Sequence, residues 1–158
     1  MSRFDQVAPN DLFKQLERAT PGDSLPAVTT LLAAVRFNAD GLIPAIAQQH
    51  DSKEVLMMAW MNRQALEETL TTHRVCYYSR SRGKLWRKGE SSGQQQQLIS
   101  AALDCDGDTL LLQVEQTGPA CHTGRRSCFY IAVDDKRASI TSQPLIDPDE
   151  LYAKNPST

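Results

Sequence analysis

The chain has 158 residues, a length that suits one domain able to bury most of the surface its unfolded chain exposes. Apolar residues make up 41% and charged residues 23%, which is typical of a folded protein and argues against disorder of the whole chain. The formal net charge of −2 gives no global attraction to nucleic acid or to an anionic membrane, so we expect neither as a partner. We find no apolar run approaching the roughly 18 residues of a membrane span and no secretory-signal pattern, and we therefore expect a cytoplasmic protein.

The first 35 residues are interpreted as a helical N-terminal extension. Asn10 and Asp11 are candidate caps for a first helix, residues 20–23 indicate a break, and a second helix is expected over residues 24–35. We expect this segment to pack against the rest of the chain or to contribute to a dimer contact.

Residues 36–135 are predicted to form the core. A first strand covers residues 42–47, where Pro44 indicates an edge or irregular position, and a buried second strand covers residues 55–61. Asn62 is expected to cap a helix whose apolar face carries Ala65, Leu66, Thr69 and Leu70.

Later segments alternate strands with polar loops. Strands are predicted at residues 75–79, 98–103, 109–115 and 127–133, and the C-terminal tail, residues 136–158, is expected to end in one or two helical turns near residues 147–152. Because strands dominate and only one helix lies between two of them, the pattern predicts an α+β fold, mainly an antiparallel sheet, in a single compact domain.

Four cysteines are present, and three of them lie close together in the sequence. Cys105, Cys121 and Cys128 are separated by fifteen and six residues, a spacing without the C-x-x-C of zinc ribbons. In a reducing compartment such thiols bind metal or do chemistry more often than they form disulfides, and thiolates suit Zn²⁺. The alternative is that they are small buried hydrophobic residues, which is how we interpret Cys76.

Three carboxylates alternate around Cys105. If this segment is extended, Asp104, Asp106 and Asp108 point to one face and Cys105 to the other, which places hard oxygen ligands suited to Mg²⁺ opposite a soft sulfur. The alternative is a solvated acidic turn in which Gly107 adopts a special φ.

His122 directly follows Cys121 and lies between two candidate thiolate ligands. It is a candidate fourth ligand or a general base beside a zinc-activated water. His50 and His73 have no such neighbours and are interpreted as surface residues.

A long basic segment covers residues 79–93 and is expected to be a loop. Its cations are candidates for phosphate binding by charge-assisted hydrogen bonds, and its tryptophan either stacks on a base or anchors the loop. A solvated charged loop and an RNA-binding segment are the alternatives. The candidates are Arg80, Arg82, Lys84, Trp86, Arg87 and Lys88.

Together these motifs resemble the phosphoribosyl-AMP cyclohydrolase family over roughly residues 36–133. The stretches that carry the resemblance are residues 38–45 (NADGLIPA), 57–62 (MMAWMN), 78–82 (YSRSR), 85–90 (LWRKGE), 103–108 (LDCDGD) and 118–129 (GPACHTGRRSCF).

The resemblance implies a hydrolase of histidine biosynthesis. Such enzymes open the adenine ring of phosphoribosyl-AMP at the N1–C6 bond, giving the formimino-carboxamide ribonucleotide. It further implies that Cys105, Cys121 and Cys128 bind zinc, that Asp104, Asp106 and Asp108 bind magnesium, and that the zinc site is shared across an intertwined homodimer. His122 is then expected to transfer protons, and Arg125 and Arg126 to hold substrate phosphates with the basic segment.

Two departures from the family pattern are visible. Gln94 follows Ser92 and Gly93 where relatives often carry His or Asn, so an imidazole role is excluded there while an amide role survives. The chain also ends too early for the fused pyrophosphohydrolase domain of many relatives, so we expect a monofunctional enzyme. Two other functions stay open: a zinc aminohydrolase acting on a free nucleoside or nucleotide, and a non-catalytic zinc module that binds RNA through residues 80–88.

Overall fold

The computed structural model describes residues 2–153 and begins with two short helices, α1 (Pro9–Leu16) and α2 (Val28–Ala34). The N-cap of α1 is Ala8, without a side-chain cap, and Pro9 occupies the first turn, where its missing N–H costs nothing. The expected capping by Asn10 and Asp11 is therefore wrong. Helix α2 begins later than expected because a proline at position 26 disfavours helical backbone before it.

Strands dominate the remainder of the described chain. In chain order the elements are β1 (Ile43–Gln49), β2 (Val55–Met61), α3 (Arg63–Thr72), β3 (Cys76–Ser79), β4 (Lys84–Arg87), β5 (Gln96–Leu103), β6 (Leu110–Gln116), β7 (Ile131–Val133), β8 (Ala138–Ile140) and α4 (Pro148–Ala153).

The main sheet has four strands in the order β2-β1-β6-β5. Strand β1 pairs antiparallel with β2 and parallel with β6, and β5 pairs antiparallel with β6. Pro44 lies on an inner strand, so the edge position is wrong, and the irregular position that the sequence equally allowed is the one observed. The position tolerates proline because the pairing of β1 with β6 begins only at Ala45.

Helix α3 begins where the sequence predicted. The side chain of Asn62 accepts a hydrogen bond of 2.8 Å from the backbone N–H of Ala65, and Ala65, Leu66 and Thr69 are buried against the sheet. Leu70 packs at the margin of the same core.

The basic segment is not one loop. Strands β3 and β4 form a hairpin with Cys76 opposite Arg87 and Ser79 opposite Lys84, and Gly83 adopts a φ of +63° in the turn. The polar composition concealed β4, because its side chains are half-buried or exposed. We call residues 76–88, which comprise β3, β4, their turn and the residue that follows β4, the basic hairpin.

The expected strand over residues 127–133 is present only at its end. Ser127 and Cys128 bond to backbone carbonyls of β2, so regular pairing starts at β7, which forms a small hairpin with β8. Helix α4 lies where helical turns were expected, and its Leu151 is buried.

Two apolar clusters stabilise the described chain. The larger lies between the sheet and α3, and the smaller joins Phe4, Leu12, Phe13 and Ala34. Leu103 packs against both clusters, so the N-terminal helices and the sheet belong to one compact α+β domain, as predicted. Within residues 2–153 we find no helix that combines the length and the apolar character needed to cross a membrane.

Candidate metal and catalytic site

The loop after β6 carries two cysteines and closes on its own backbone. The N–H of Ala120 donates to the carbonyl of Arg126 (3.0 Å), and the N–H of Cys121 donates to the carbonyl of Arg125 (3.1 Å). At the turn, Gly124 has a φ of +83° and donates to the carbonyl of Cys121 (3.0 Å). We call residues 120–128 the thiol loop.

The end of the thiol loop is fixed to β2. The N–H of Cys128 donates to the carbonyl of Leu56 (2.7 Å), and the hydroxyl of Ser127 donates to the carbonyl of Val55 (2.7 Å). This anchoring brings the thiol of Cys128 close enough to that of Cys121 for each to influence the pKa of the other. Two of the three predicted zinc ligands are therefore adjacent.

The pKa values of the two thiols are shifted in opposite directions. Burial opposes ionisation of Cys121, but the hydroxyl and N–H of Thr123 and the thiol of Cys128 donate to its sulfur, and Lys88 is close, so its pKa lies below the ordinary value. Burial of its thiol, followed by the neighbouring Cys121, raises the pKa of Cys128 to about 12, although the residue as a whole is exposed. The geometry thus favours Cys121 as a thiolate, the form that binds metal.

Arg126 holds the thiol loop against the sheet. Its Nη1 donates to the carbonyls of Gln116 (3.0 Å) and Gly118 (2.8 Å), and its Nη2 donates to Oε1 of Gln49 (2.9 Å). Glu54 lies 3.7 Å from its Nε. With its donors used inside the chain, Arg126 is placed to shape the loop, and its contact with substrate phosphate stays a prediction.

The carboxylates predicted to bind magnesium come together at the turn between β5 and β6. One oxygen from each of Asp104, Asp106 and Asp108 lies within 4.8 Å of the others, and all three residues are exposed. The segment is a turn rather than extended, with Gly107 at a φ of +72°. We call residues 104–108 the acidic turn.

Like charges perturb the protonation of the acidic turn. Burial opposes ionisation of Asp104, but its carboxylate accepts from the N–H groups of Asp108 (3.0 Å) and Thr109 (3.2 Å), so its pKa is lowered. The contact with Asp104, then slight burial and the contact with Asp106, raise the pKa of Asp108. A divalent cation would remove this repulsion, and the oxygen-only donor set fits Mg²⁺.

The N-terminal helices pack against the acidic turn. The ring of Phe13 lies against Gly107, in the space where a side chain at that position would be. The N–H of Arg36 donates to the carbonyl of Gly107 (2.8 Å). The extension therefore packs directly on a candidate metal-binding turn.

Cys105 lies apart from the other two predicted zinc ligands. It is exposed and lines an apolar cavity of about 440 Å³ between the N-terminal helices and β5, together with Phe13, Leu103 and Leu110. Among residues 2–153, no group of three potential metal ligands within 4.8 Å contains a cysteine. A single chain therefore brings together two thiols rather than three.

His122 is exposed beside the turn of the thiol loop, and it makes no hydrogen bond within the described part of the chain. Its ring is thus available to an incoming molecule. Its general acid or base role stays a prediction.

Another histidine belongs to a separate polar group. Nε2 of His50 lies 2.6 Å from Oε2 of Glu115, and Asp51 is close to both. The amide of Gln49 also donates to Glu115 (3.0 Å). These side chains satisfy one another at the surface, which agrees with interpreting His50 as a surface residue; His73 is likewise exposed.

Three cations of the basic hairpin are exposed to solvent and accessible to a ligand. Arg80, Arg82 and Lys84 are exposed around its turn. The guanidinium of Arg80 lies 5.1 Å from the ring centroid of Trp60, and Nε of Arg82 donates to the hydroxyl of Ser79 (3.4 Å). Binding of substrate phosphate by these three cations stays a prediction.

The remaining side chains of the basic hairpin have partners inside the chain. Arg87 forms a bidentate pair with Glu68 (2.9 and 2.6 Å), and the Trp86 ring packs 5.1 Å from that of Tyr77. The ammonium of Lys88 donates to the carbonyl of Ala120 (2.7 Å). Charge pattern alone did not separate these anchored residues from the exposed ones.

The C-terminal tail crosses the thiol loop. The N–H of Leu145 donates to the carbonyl of Gly124 (2.8 Å), and Nε of Arg125 donates to the carbonyl of Ser142 (2.9 Å). The guanidinium of Arg125 also lies 4.0 Å from the Tyr130 ring centroid. Arg125 therefore helps to fasten the tail, and its phosphate contact stays a prediction.

Sequence reasoning missed several residues that shape this site. Thr123 donates to Cys121, Gln49 accepts from Arg126, and the amide of Gln116 donates to the carbonyl of Gln94 (3.3 Å). The side chain of Gln94 itself lies against Gly118. Thr123 could have been found as a hydroxyl two residues after a candidate thiolate, whereas the glutamines gave no sequence signal.

Known proteins align with nearly the whole chain at high identity. The family model for phosphoribosyl-AMP cyclohydrolase matches residues 57–130. A phosphoribosyl-AMP cyclohydrolase of Chromohalobacter salexigens is 70% identical over 142 residues, covering 90% of this chain and 97% of the relative.

The chain belongs to the phosphoribosyl-AMP cyclohydrolase family. Family members from Alkalilimnicola ehrlichii (68% identical, covering 89% of this chain and 99% of the relative) and Halorhodospira halophila (65%, 89% and 99%) agree with this. The prediction that the chain is an enzyme of this hydrolase family is confirmed. The thiol loop, the acidic turn and the basic hairpin all fall within the family match, whereas the N-terminal helices, β1 and the C-terminal tail fall outside it.

Proposed function

We propose that the chain hydrolyses the N1–C6 bond of the adenine ring of phosphoribosyl-AMP, the third step of histidine biosynthesis, in the cytoplasm. Its family membership is the observation that carries the proposal. The product is the formimino-carboxamide ribonucleotide. Water supplies a hydroxyl to C6 and a proton to N1 as the bond between them breaks.

The thiol loop fits zinc. Cys121 and Cys128 are adjacent soft donors, and hydrogen bonds favour the thiolate of Cys121. Zinc bound there with Cys105 from a second chain would supply a Lewis acid that makes water a nucleophile at neutral pH. Thr123 and Lys88 are the chain's own groups around these sulfurs.

His122 is the residue we assign to proton transfer. It is exposed, follows a proposed zinc ligand, and has no internal partner in residues 2–153. In this proposal it takes a proton from the attacking water and returns it to N1. We further propose that Arg80, Arg82 and Lys84 bind substrate phosphates, because their charged groups are exposed on one hairpin turn.

We propose that Mg²⁺ binds the acidic turn. The support is the clustering of three carboxylates, in which the hydrogen bond with the Asp104 side chain and then slight burial raise the pKa of Asp108. Such an ion would orient an anionic substrate without forming a bond to the reacting carbon.

A homodimer with a shared zinc site completes the proposal. Cys105 lies away from the pair of thiols in its own chain, so a third thiolate from a partner is the simplest way to complete the ligand set. Apolar side chains that a partner could cover are also exposed. These include Ile99, Leu111, Phe129, Ile131, Val133 and Ile140.

The first test is turnover of phosphoribosyl-AMP by purified protein, followed by absorbance with and without a zinc chelator. We expect chelation to stop ring opening and added zinc to restore it. Turnover that continues in demonstrably zinc-free protein would contradict the role of zinc, and absence of turnover with both metals present would contradict the reaction.

Substrate controls distinguish the remaining functions. AMP and adenosine are assayed in parallel for released ammonia, because deamination releases it and ring opening does not. Salt-sensitive RNA binding without turnover would instead support a binding module.

A further inference from the structure

Lys88 is the buried cation of the basic hairpin. Only 8% of the residue is exposed, whereas Arg80, Arg82 and Lys84 of the same hairpin are exposed. Burying a lysine is costly unless its ammonium has a partner, so its position requires a structural explanation.

Both ends of Lys88 are fixed. Its backbone N–H donates to the carbonyl of Val75 (3.0 Å) beside β3, and its ammonium donates to the carbonyl of Ala120 (2.7 Å). Ala120 directly precedes Cys121. The side chain therefore joins the basic hairpin to the thiol loop at the peptide that leads into a proposed zinc ligand.

The ammonium of Lys88 lies near enough to the two sulfurs to interact with them electrostatically. Burial lowers its pKa, while Cys121 and Cys128 act in the opposite direction, and the ammonium lies 6.0 Å from the ring centroid of Trp86. In this poorly solvated position a fixed positive charge interacts with nearby thiolates more strongly than it would in water.

We propose that Lys88 is a positioning residue for the pair of thiols, and not a ligand of substrate phosphate. It holds the peptide before Cys121 in place and offsets the negative charge that the sulfurs bring to the site. The inference rests on the proposed zinc role of Cys121 and Cys128.

Lys88 affects both the net charge and the geometry of the proposed ligand set. Three thiolates around a divalent cation leave a net negative charge, which weakens the Lewis acid. A neighbouring ammonium offsets part of that charge, and its hydrogen bond to Ala120 restricts the loop before the metal binds. Groups that orient metal ligands in this way typically change metal affinity or activity by about 10–100-fold when removed.

The test compares Lys88→Met with Lys84→Met. Methionine keeps an unbranched chain of similar length, and Lys84 is an exposed cation on the same hairpin. Zinc affinity is measured by competition with a chromophoric chelator, and kcat and KM for phosphoribosyl-AMP are measured separately. We expect Lys88→Met to weaken zinc binding about 10–100-fold and to lower kcat with little change in KM. We expect Lys84→Met to raise KM and to keep the wild-type zinc affinity.

A second variant protects the test against misfolding. Lys88→Gln retains an N–H donor without the charge, and thermal unfolding reports whether each variant folds. We expect Lys88→Gln to bind zinc less tightly than wild type but more tightly than Lys88→Met. Wild-type zinc affinity in folded Lys88→Gln, or a raised KM as its main defect, would overturn the inference.

The wild-type protein separates the two possible failures. If wild type binds no zinc at the thiol loop, the proposed zinc role fails and the inference fails with it. If wild type binds zinc and the Lys88 variants bind it equally well, the inference alone fails.

Discussion

The acidic turn and the thiol loop share two structural features, a glycine with positive φ and a terminal segment packed against it. Each turns at a glycine with positive φ, Gly107 at +72° and Gly124 at +83°. In each case a segment from one end of the chain occupies the space where a side chain would be: the ring of Phe13 at Gly107 and the carbonyl of Ile146 at Gly124. The terminal segments, which sequence analysis treated as an extension and a tail, therefore hold both candidate metal sites.

The two sites differ in how completely one chain satisfies them. The thiol loop is hydrogen-bonded to β2, Lys88 and the tail, its own Arg126 donates to Gln49 and Gln116, and Cys121 is buried. The acidic turn exposes three carboxylates that repel one another, and Cys105 beside them is exposed too. The thiol loop is thus preorganised within one chain. The acidic turn would need a bound cation to neutralise its carboxylates, and Cys105 would need the thiols of a partner chain.

Removing a preorganised ligand should have the largest effect. We expect Cys121→Ser to lose bound zinc and to reduce turnover to background, because a serine hydroxyl is a far poorer zinc ligand than a thiolate. Zinc content by mass spectrometry and the turnover assay measure this. Cys76→Ala, at a buried cysteine of β3, is the control and should retain zinc; an active, zinc-free Cys121→Ser enzyme would refute the prediction.

The exposed histidine of the same loop should matter for chemistry and not for structure. We expect His122→Ala to retain zinc and to lower kcat by about 10²–10⁴-fold, the usual range for a general acid or base. The control is His73→Asn, because asparagine tolerates the left-handed backbone of His73 (φ +59°) at the end of α3. A rate near wild type for His122→Ala would assign proton transfer to another group.

The contact between the C-terminal tail and the thiol loop can be tested at Gly124. A methyl group there meets the carbonyl of Ile146 and also strains a backbone with positive φ, so Gly124→Ala should destabilise the protein by about 1–3 kcal/mol and weaken zinc binding. Gly41→Ala is the matched control, because Gly41 has a φ of +74° but nothing within 4 Å of the added carbon. Both variants carry backbone strain, so a loss of zinc affinity confined to Gly124→Ala isolates the contact with the tail. Equal zinc affinities in the two variants would argue against that contact.

The sequence predicted most of the fold because its signals were local. The Asn62 cap, the buried β2 positions and the turn between β5 and β6 are set by neighbouring residues and were found. Strand β4 and the inner position of Pro44 were missed, because both depend on pairing with distant strands. Motif resemblance gathered the site residues into one hypothesis, but it did not distinguish anchored cations such as Arg87 and Lys88 from the exposed Arg80. That distinction depends on which side chains are buried in three dimensions.

The smallest expected effect concerns the half of the site that one chain leaves unsatisfied. We expect Mg²⁺ to raise the thermal unfolding temperature more at neutral pH than in acid, because protonation of Asp108 in acid removes one of the charges that attract the cation. The sign follows from Asp108, whose pKa is raised first by a hydrogen bond with the Asp104 side chain. Ionisation of Asp108 removes that bond and lowers folded-state stability, so the loss appears as the pH rises through the raised pKa and vanishes in acid. Asp106→Asn should reduce both the Mg²⁺ shift and the Mg²⁺ dependence of turnover, because it removes one ligand and one repelling charge together. Asp135→Asn, at an exposed position outside the acidic turn, is the control and should retain the full Mg²⁺ response. If Asp106→Asn responds to Mg²⁺ like wild type, the acidic turn is a solvated surface feature, and the comparison between the two sites reduces to the thiol loop alone.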